Sequence, residues 1–161
     1  MAEVEIVRRR MTEELWIEVL SWRNDPLVYG WTRTNRSITL SEHTTWFETR
    51  KKTLNQEPVF AYLINECFVG MARLDKLADG NYEVSLILNP RHRGMGYGKV
   101  VLYDICKYFL TNMPLKSKLM AVVHFQNFVS EGLFLGLGFS LLYRDSPFNT
   151  FVFRDGITGS L

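Results

Sequence analysis

Between positions 93 and 98 the chain reads Arg93-Gly94-Met95-Gly96-Tyr97-Gly98, directly after an apolar run and directly before a segment with helical apolar spacing. Three glycines in six residues take away the side chains that would hold a ligand off the main chain. The first turn of the helix that follows then offers unpaired N–H groups and the positive end of its dipole at one point. An anion suits such a turn, a diphosphate best of all. Strand-to-helix turns also carry glycines for local reasons, so the turn alone leaves both readings open. No Gly-Lys-Ser/Thr follows, which excludes a Walker-type loop. The glycine spacing and the late position in a short chain do not fit a dinucleotide-binding turn either.

The elements that must position this turn follow from periodicity. Glu3 to Arg8 alternates as a strand with one buried face, and Arg8-Arg9-Arg10 marks the end of an edge strand. Thr12 opens a helix through Trp22, which Asp25-Pro26 ends, and the segment from Val28 to Ser37 is irregular and aromatic. Thr39-Leu40-Ser41-Glu42 is a capping box for a second helix through about Thr53. Pro58 to Ile64, Cys67 to Leu77 and Tyr82 to Leu88 form an antiparallel meander. A helix closed by Pro114, a strand from Lys118 to Phe125, a helix from Asn127 to Leu137 and two closing strands complete the order.

Composition bounds the rest. A chain of 161 residues that is 47% hydrophobic forms one domain, residues 1–161, with one core. With 19 basic and 17 acidic residues interspersed, the charge pattern suits neither nucleic acid nor a membrane surface. No apolar run reaches spanning length, and the first residues lack the apolar stretch of a leader. Cys67 and Cys106 have apolar neighbours and no ligand spacing, so both are expected as buried free thiols in a reducing cytoplasm. The three histidines are scattered, and no metal is expected.

Arg93, Gly96 and Gly98 also fill the fixed positions of an Arg/Gln-x-x-Gly-x-Gly/Ala loop, with Pro90 ending the strand before it. Downstream, Asn127, Ser130 and Phe134 in the run to Gly138-Phe139 fall at i, i+3 and i+7, on one helix face. The two motifs and the element order between them resemble the GNAT N-acetyltransferase superfamily. The resemblance implies an α+β fold, a mixed and mostly antiparallel sheet flanked by helices in the order β-α-α-β-β-β-α-β-α-β-β, the acyl-CoA N-acyltransferase fold. It implies acetyl-CoA, with Arg93, Gly94, Met95, Gly96, Tyr97, Gly98 and Lys99 at its phosphates and Asn127, Ser130 and Phe134 facing the pantetheine. Main-chain N–H groups from Leu86 to Leu88 would polarise the thioester carbonyl.

Phe134 stands where the family carries a Tyr that protonates the departing thiolate. A thiol of ordinary pKa about 8.5 leaves tolerably as the anion, so the loss of one acid costs at the low end of roughly 10²- to 10⁴-fold. Alternatively Tyr97, Tyr103 or Ser130 donates the proton, or the chain binds CoA without catalysis.

Trp22-Arg23-Asn24-Asp25-Pro26, followed by Ile38, Glu42-His43 and Trp46-Phe47, resembles the nucleotide-amino-sugar N-acetyltransferases of pseudaminic acid biosynthesis. The pentapeptide also occurs in ribosomal-protein and aminoglycoside acetyltransferases. The sugar branch implies a UDP-linked amino-sugar acceptor, held by Trp22, Arg23, Arg33, Arg36, Glu42 and Trp46, and the ribosomal-protein branch implies a protein N-terminus. Attack needs a neutral amine, hence a base. The resemblance points to Glu83, with a solvent-facing strand residue as the alternative. His43 titrates in the useful range but equally suits packing, and His124 ends the strand before Asn127, where it is either a base or a core histidine. Glu42 is also explained by its capping box. The assembly state, a homodimer included, is not fixed by these features.

Overall fold

Thr12 caps the first helix, its hydroxyl accepting the Leu15 amide at 3.3 Å, and Thr39 with Glu42 forms the reciprocal capping box of another. The computed structural model describes residues 5–154. Strand β1 (Ile6–Arg10) leads into helices α1 (Glu13–Arg23), α2 (Pro26–Tyr29) and α3 (Leu40–Arg50). The meander β2 (Val59–Ile64), β3 (Cys67–Lys76) and β4 (Tyr82–Leu88) follows. Helix α4 (Tyr97–Asn112), strand β5 (Leu119–His124), helix α5 (Phe128–Gly136) and the hairpin of β6 (Phe139–Asp145) and β7 (Phe148–Phe153) complete the order. The strands form one sheet in the order β1-β2-β3-β4-β5-β7-β6, antiparallel except where β4 meets β5.

Three local expectations change. After the expected stop at Asp25-Pro26, Pro26–Tyr29 makes one further helical turn that runs into the segment expected to be irregular, because the Asp25 side chain accepts the Leu27 amide at 3.0 Å and Pro26 suits a first helical position. Strand β1 ends at Arg10 on the sheet edge, as the arginine run implies, but Ile6 alone of its residues is partly buried, so the expected buried face is missing, while Glu3 and Val4 lie outside the described residues. Cys67 is exposed and not buried, since it follows a tight Asn65-Glu66 turn with φ of 50° and 64° at the start of β3. Cys106 is buried in α4, and burial pushes its thiol up to about 12. Among the described residues no helix is long and apolar enough to cross a membrane.

All of β2 is buried, as a strand covered on both faces requires. Phe60, Tyr62 and Ile64 join Val101, Leu102, Ile105 and Phe109 of α4 in one apolar cluster. Val59, Ala61 and Leu63 join Trp16, Val19 and Trp22 of α1 and Phe47 of α3 in the other. Tyr82, Val84, Leu119, Ala121 and Val123 belong to the α4 cluster. By the two-residue alternation of strands, Glu83, Ser85, Met120, Val122 and His124 therefore look toward the side of α1 and α3.

The β4/β5 ladder is short. Tyr82 pairs with Leu119 and Glu83 with Met120, and there the pairing ends. Strand β4 runs on beside β3 to the Gly70–Leu88 pair, while β5 runs on beside β7 to the His124–Phe148 pair. Two parallel strands that part in this way leave a fork, with Glu83 at its closed end and His124 at the tip of one arm.

Candidate active site at the strand fork

The cofactor side is made by main chain. Asn89, buried after β4, holds the turn: its amide nitrogen donates to the Phe68 carbonyl at 3.1 Å and its side-chain oxygen accepts the Arg91 amide at 3.1 Å. Gly94 and Gly96 take φ of 76° and 79°, a conformation that costs an L side chain about 1–2 kcal/mol. Gly96 is the N-cap of α4 and brings no side-chain acceptor to the amides of its first turn. Gly98 serves packing instead, because a Cβ there would lie 3.3 Å from Leu88 Cδ1 and 3.5 Å from Leu133 Cδ2. Helix α4 thus begins hard against the end of β4, with its free N–H groups at the mouth of the fork.

Inside the fork the direction of the amides can be read from two bonds. Tyr82 N donates toward β5, to Lys118 O at 2.9 Å, and Asn89 N donates toward β3, to Val69 O at 2.8 Å. Along an unbroken strand this alternation turns the Leu86 and Leu88 amides away from β3 and into the fork. A strand that has lost its neighbour therefore presents oriented donors where a polarised carbonyl would need them.

The acceptor side is made by side chains. Residues 30–38 cross from α2 to α3 and are pinned by Asn24, which donates to Ile38 O at 2.9 Å and accepts from Ile38 N at 2.8 Å. From this segment Arg33 reaches Glu83 in a forked pair, Nη2 to Oε1 at 2.7 Å and Nη1 to Oε2 at 3.3 Å. The hydrogen bond to Glu83 raises the Arg33 pKa. Trp31 lies against His124, with ring centres 5.1 Å apart. His124 Nδ1 accepts the Gln126 amide at 3.2 Å, which leaves Nε2 as the proton-bearing nitrogen of the neutral ring. One short segment thereby touches both titratable groups of the fork.

Cations are in surplus here. Arg23 donates to the Arg36 carbonyl and the Thr34 hydroxyl, both neutral, and burial followed by the fields of Arg73 and Arg36 lowers its pKa. Arg36 holds Glu42 at 2.9 Å, and with the Thr39 amide it pulls that carboxyl down to about 2. Asp75, opposite Glu83 in the β3/β4 register, is bonded by both Arg50 and Arg73. Arg93 of the glycine turn pairs with Asp25 at 3.3 Å, tying the cofactor side to the start of α2.

The other expected site residues divide between the core, the glycine turn with the start of α5, and a groove outside the fork. His43 is 2% exposed and stacks on Trp16 at 4.2 Å; its Nε2 donates to the Trp16 carbonyl while Trp16 Nε1 donates to the His43 carbonyl at 2.8 Å. Burial lowers its pKa, and no face of the ring is left for a substrate. Trp22 packs on Phe68 in the core and forms no wall for a ligand. Phe134 is buried against Phe139, ring centres 5.0 Å apart, so its side chain fills the core and does not line a pantetheine surface. Asn127 caps α5, accepting the Ser130 amide at 3.3 Å, and Tyr97 and Tyr103 pack partly buried against the α4 cluster. Met95 and Lys99 are exposed beside the turn. Trp46 stacks under the Arg50 and Arg73 guanidinium groups and, with Glu42, lines an open groove of about 670 Å³ along α3, outside the fork. Asn24 and Asp25 carry structural contacts that the sequence signalled only as a helix stop.

A parallel strand pair that forks beside a glycine-capped helix defines the acyl-CoA N-acyltransferase class of site. The model of the acetyltransferase (GNAT) domain matches residues 6–140, and the chain belongs to that family of N-acetyltransferases, which use acetyl-CoA. No curated protein matches the sequence. Among solved structures it is similar to a domain from Methanocaldococcus jannaschii, with a TM-score of 0.79 and 20% identity over 93% of this chain and 98% of that one. It is similar to N-acetyltransferase PseH of Campylobacter jejuni in complex with acetyl coenzyme A, with a TM-score of 0.71 and 17% identity over 94% of this chain and 100% of that one. It is also similar to the ribosomal-protein-alanine N-acetyltransferase of Brucella melitensis, with a TM-score of 0.72 and 19% identity over 91% and 98% of the two chains. At these identities the likeness is one of fold.

Proposed function

We propose that the protein, acting as a single domain in a reducing cytoplasm, acetylates the primary amine of a nucleotide-activated amino-sugar such as a UDP-linked 4-amino-4,6-dideoxy sugar. The observation that supports this acceptor is electrostatic. Glu83 and Asp75 at the fork, and Glu42 on α3 outside it, are each bonded to an arginine, while the hydrogen-bond partners of Arg23 among the described residues are neutral. A diphosphate-bearing acceptor suits that balance. A basic peptide N-terminus, the acceptor in the alternative reading, needs carboxylates with no cation on them.

Acetyl-CoA supplies the acetyl group as a thioester, held by the main chain of residues 93–99 and by α4. Ser130 and Asn127 lie at the start of α5 beside the tip of β5. The residues then divide the work. Glu83 takes the ammonium proton, directly or through water, so that the nitrogen lone pair is free to form the new C–N bond. The Leu86 and Leu88 amides donate to the carbonyl oxygen as negative charge grows there. With Phe134 in the core, the C–S bonding pair departs with sulfur as thiolate, which an ordinary thiol pKa of about 8.5 permits, and the second proton of the nitrogen, acidic once the C–N bond has formed, passes to water. His124 Nε2, which bears the ring proton, is a proton donor at the fork.

Release of free thiol on adding acceptor tests the reading. A panel of UDP-amino-sugars should give acceptor-dependent release with acetyl-CoA, and peptides with ribosomal-protein N-termini should not. The reverse order overturns the sugar assignment.

A further inference from the structure

Glu83 is the carboxylate placed to receive a proton from the acceptor, yet it already holds a cation. Its side chain is 13% exposed and that of Arg33 is 59% exposed, so the guanidinium lies on the solvent side of the carboxylate and covers it. An incoming ammonium seeks the same two oxygens. Arg33 is held there by little else: among the described residues its side-chain hydrogen bonds are those to Glu83 alone. The other groups that bear on it are Asp75 and the Tyr143 phenol, and Asp75 is already bonded to Arg50 and Arg73. Among the described residues, a guanidinium displaced from Glu83 therefore finds no free carboxylate nearby. The anion to receive it must come with the ligand.

We infer that Arg33 selects the acceptor by exchange: the acceptor's ammonium replaces the guanidinium on Glu83 while Arg33 moves onto an anionic group of the same molecule. This rests on the reading of Glu83 as base and widens the acceptor to a chemical class, primary amines that carry a phosphate, diphosphate or carboxylate within reach of the Arg33 side chain. For such a molecule one charge-assisted pair is traded for two, at little net loss. For a purely cationic amine the pair is broken and Arg33 is left alone, which discriminates against polyamines and basic amines without any steric block. The pair is half open to water, so the exchange is readily reversible.

Matched acceptors read this directly: a UDP-amino-sugar against the free amino-sugar, glucosamine 6-phosphate against glucosamine, and spermidine as a cation with no anion. For each, kcat/KM is measured by thiol release, and binding to CoA-loaded protein by calorimetry. The wild type should favour the anionic member of a pair by roughly 10- to 100-fold. R33A should bring that ratio to within about threefold, partly by raising kcat/KM on the amine without an anion, whose competitor is gone, and R33K should restore part of it. Equal loss on both members, an unchanged ratio in R33A, or a wild type that treats both members alike overturns the exchange. A ratio seen with the 6-phosphate pair while the UDP pair is silent leaves the exchange standing and removes the nucleotide-sugar assignment. Should R33A not fold, R33Q is read by the same ratio.

Discussion

The turn at residues 93–98 and the segment at residues 30–38 flank the same strand fork, but the first shapes its site with main-chain amides and the second with side-chain pairs. Gly94 and Gly96 set the turn through their φ angles, and the fork presents the Leu86 and Leu88 amides because β4 has lost its neighbour. Across the fork, Arg33, Glu83, Trp31 and His124 are joined by contacts between residues far apart in the chain. Every residue but proline carries a main-chain N–H, so a main-chain site survives wide sequence change. A side-chain site changes with each substitution. The difference teaches why a donor site can stay constant through a family while the acceptor varies.

The largest expected effect lies on the side-chain half. Glu83→Gln removes the proposed base while keeping its shape, and kcat should fall roughly 10²- to 10⁴-fold with little change in the acetyl-CoA KM. A fall of less than fivefold would mean that Glu83 is not the base and would redraw the comparison. On the main-chain half, Gly96→Val places a β-branched residue at φ 79°. Calorimetry should show acetyl-CoA affinity lowered by about 10- to 100-fold, whereas Lys99→Ala, a side-chain change at the same turn, should cost only a few-fold. Equal effects from the two would mean that the turn works through its side chains after all.

His43 and His124 sharpen the contrast within one residue type. His43→Ala should lower the melting temperature by roughly 6–12 °C, from about 3 kcal/mol of lost packing and hydrogen bonding, and leave the pH dependence of the rate in its place. Because burial depresses the folded pKa of His43 below its ordinary value near 6.5, its contribution to stability is full above that value and is lost as the pH falls through the folded pKa. Denaturant titrations of wild type and His43→Phe across pH 5–8 should therefore diverge on the acid side only. The smallest effect concerns the thiols: a thiol reagent should label Cys67 in the native protein and reach Cys106 only after unfolding.

Much of the cofactor half was legible in the sequence because its determinants are local. A glycine turn between a strand and a helix, a capping box at Thr39 and the alternation along Tyr82–Leu88 each depend on neighbours within a few positions. The acceptor half was legible only as residue types. His43, Trp22 and Phe134 matched a motif as well as the exposed residues did, but the helix face each occupies and the sheet beneath it placed them in the core. Asp25 read as a helix stop, and nothing local announced its bond to Arg93, which lies 68 positions away.

The order of elements, the turn that caps α4 and hence the class of enzyme were determined by the sequence, since backbone dihedrals and hydrophobic period are short-range energies. The tertiary structure decided which carboxylate stands at the closed end of the fork, that Arg33 covers it from 50 positions away, and which histidine is free to act. Those outcomes depend on strand register and on where β4 and β5 part, and both are settled only when the whole sheet packs between its two layers of helices.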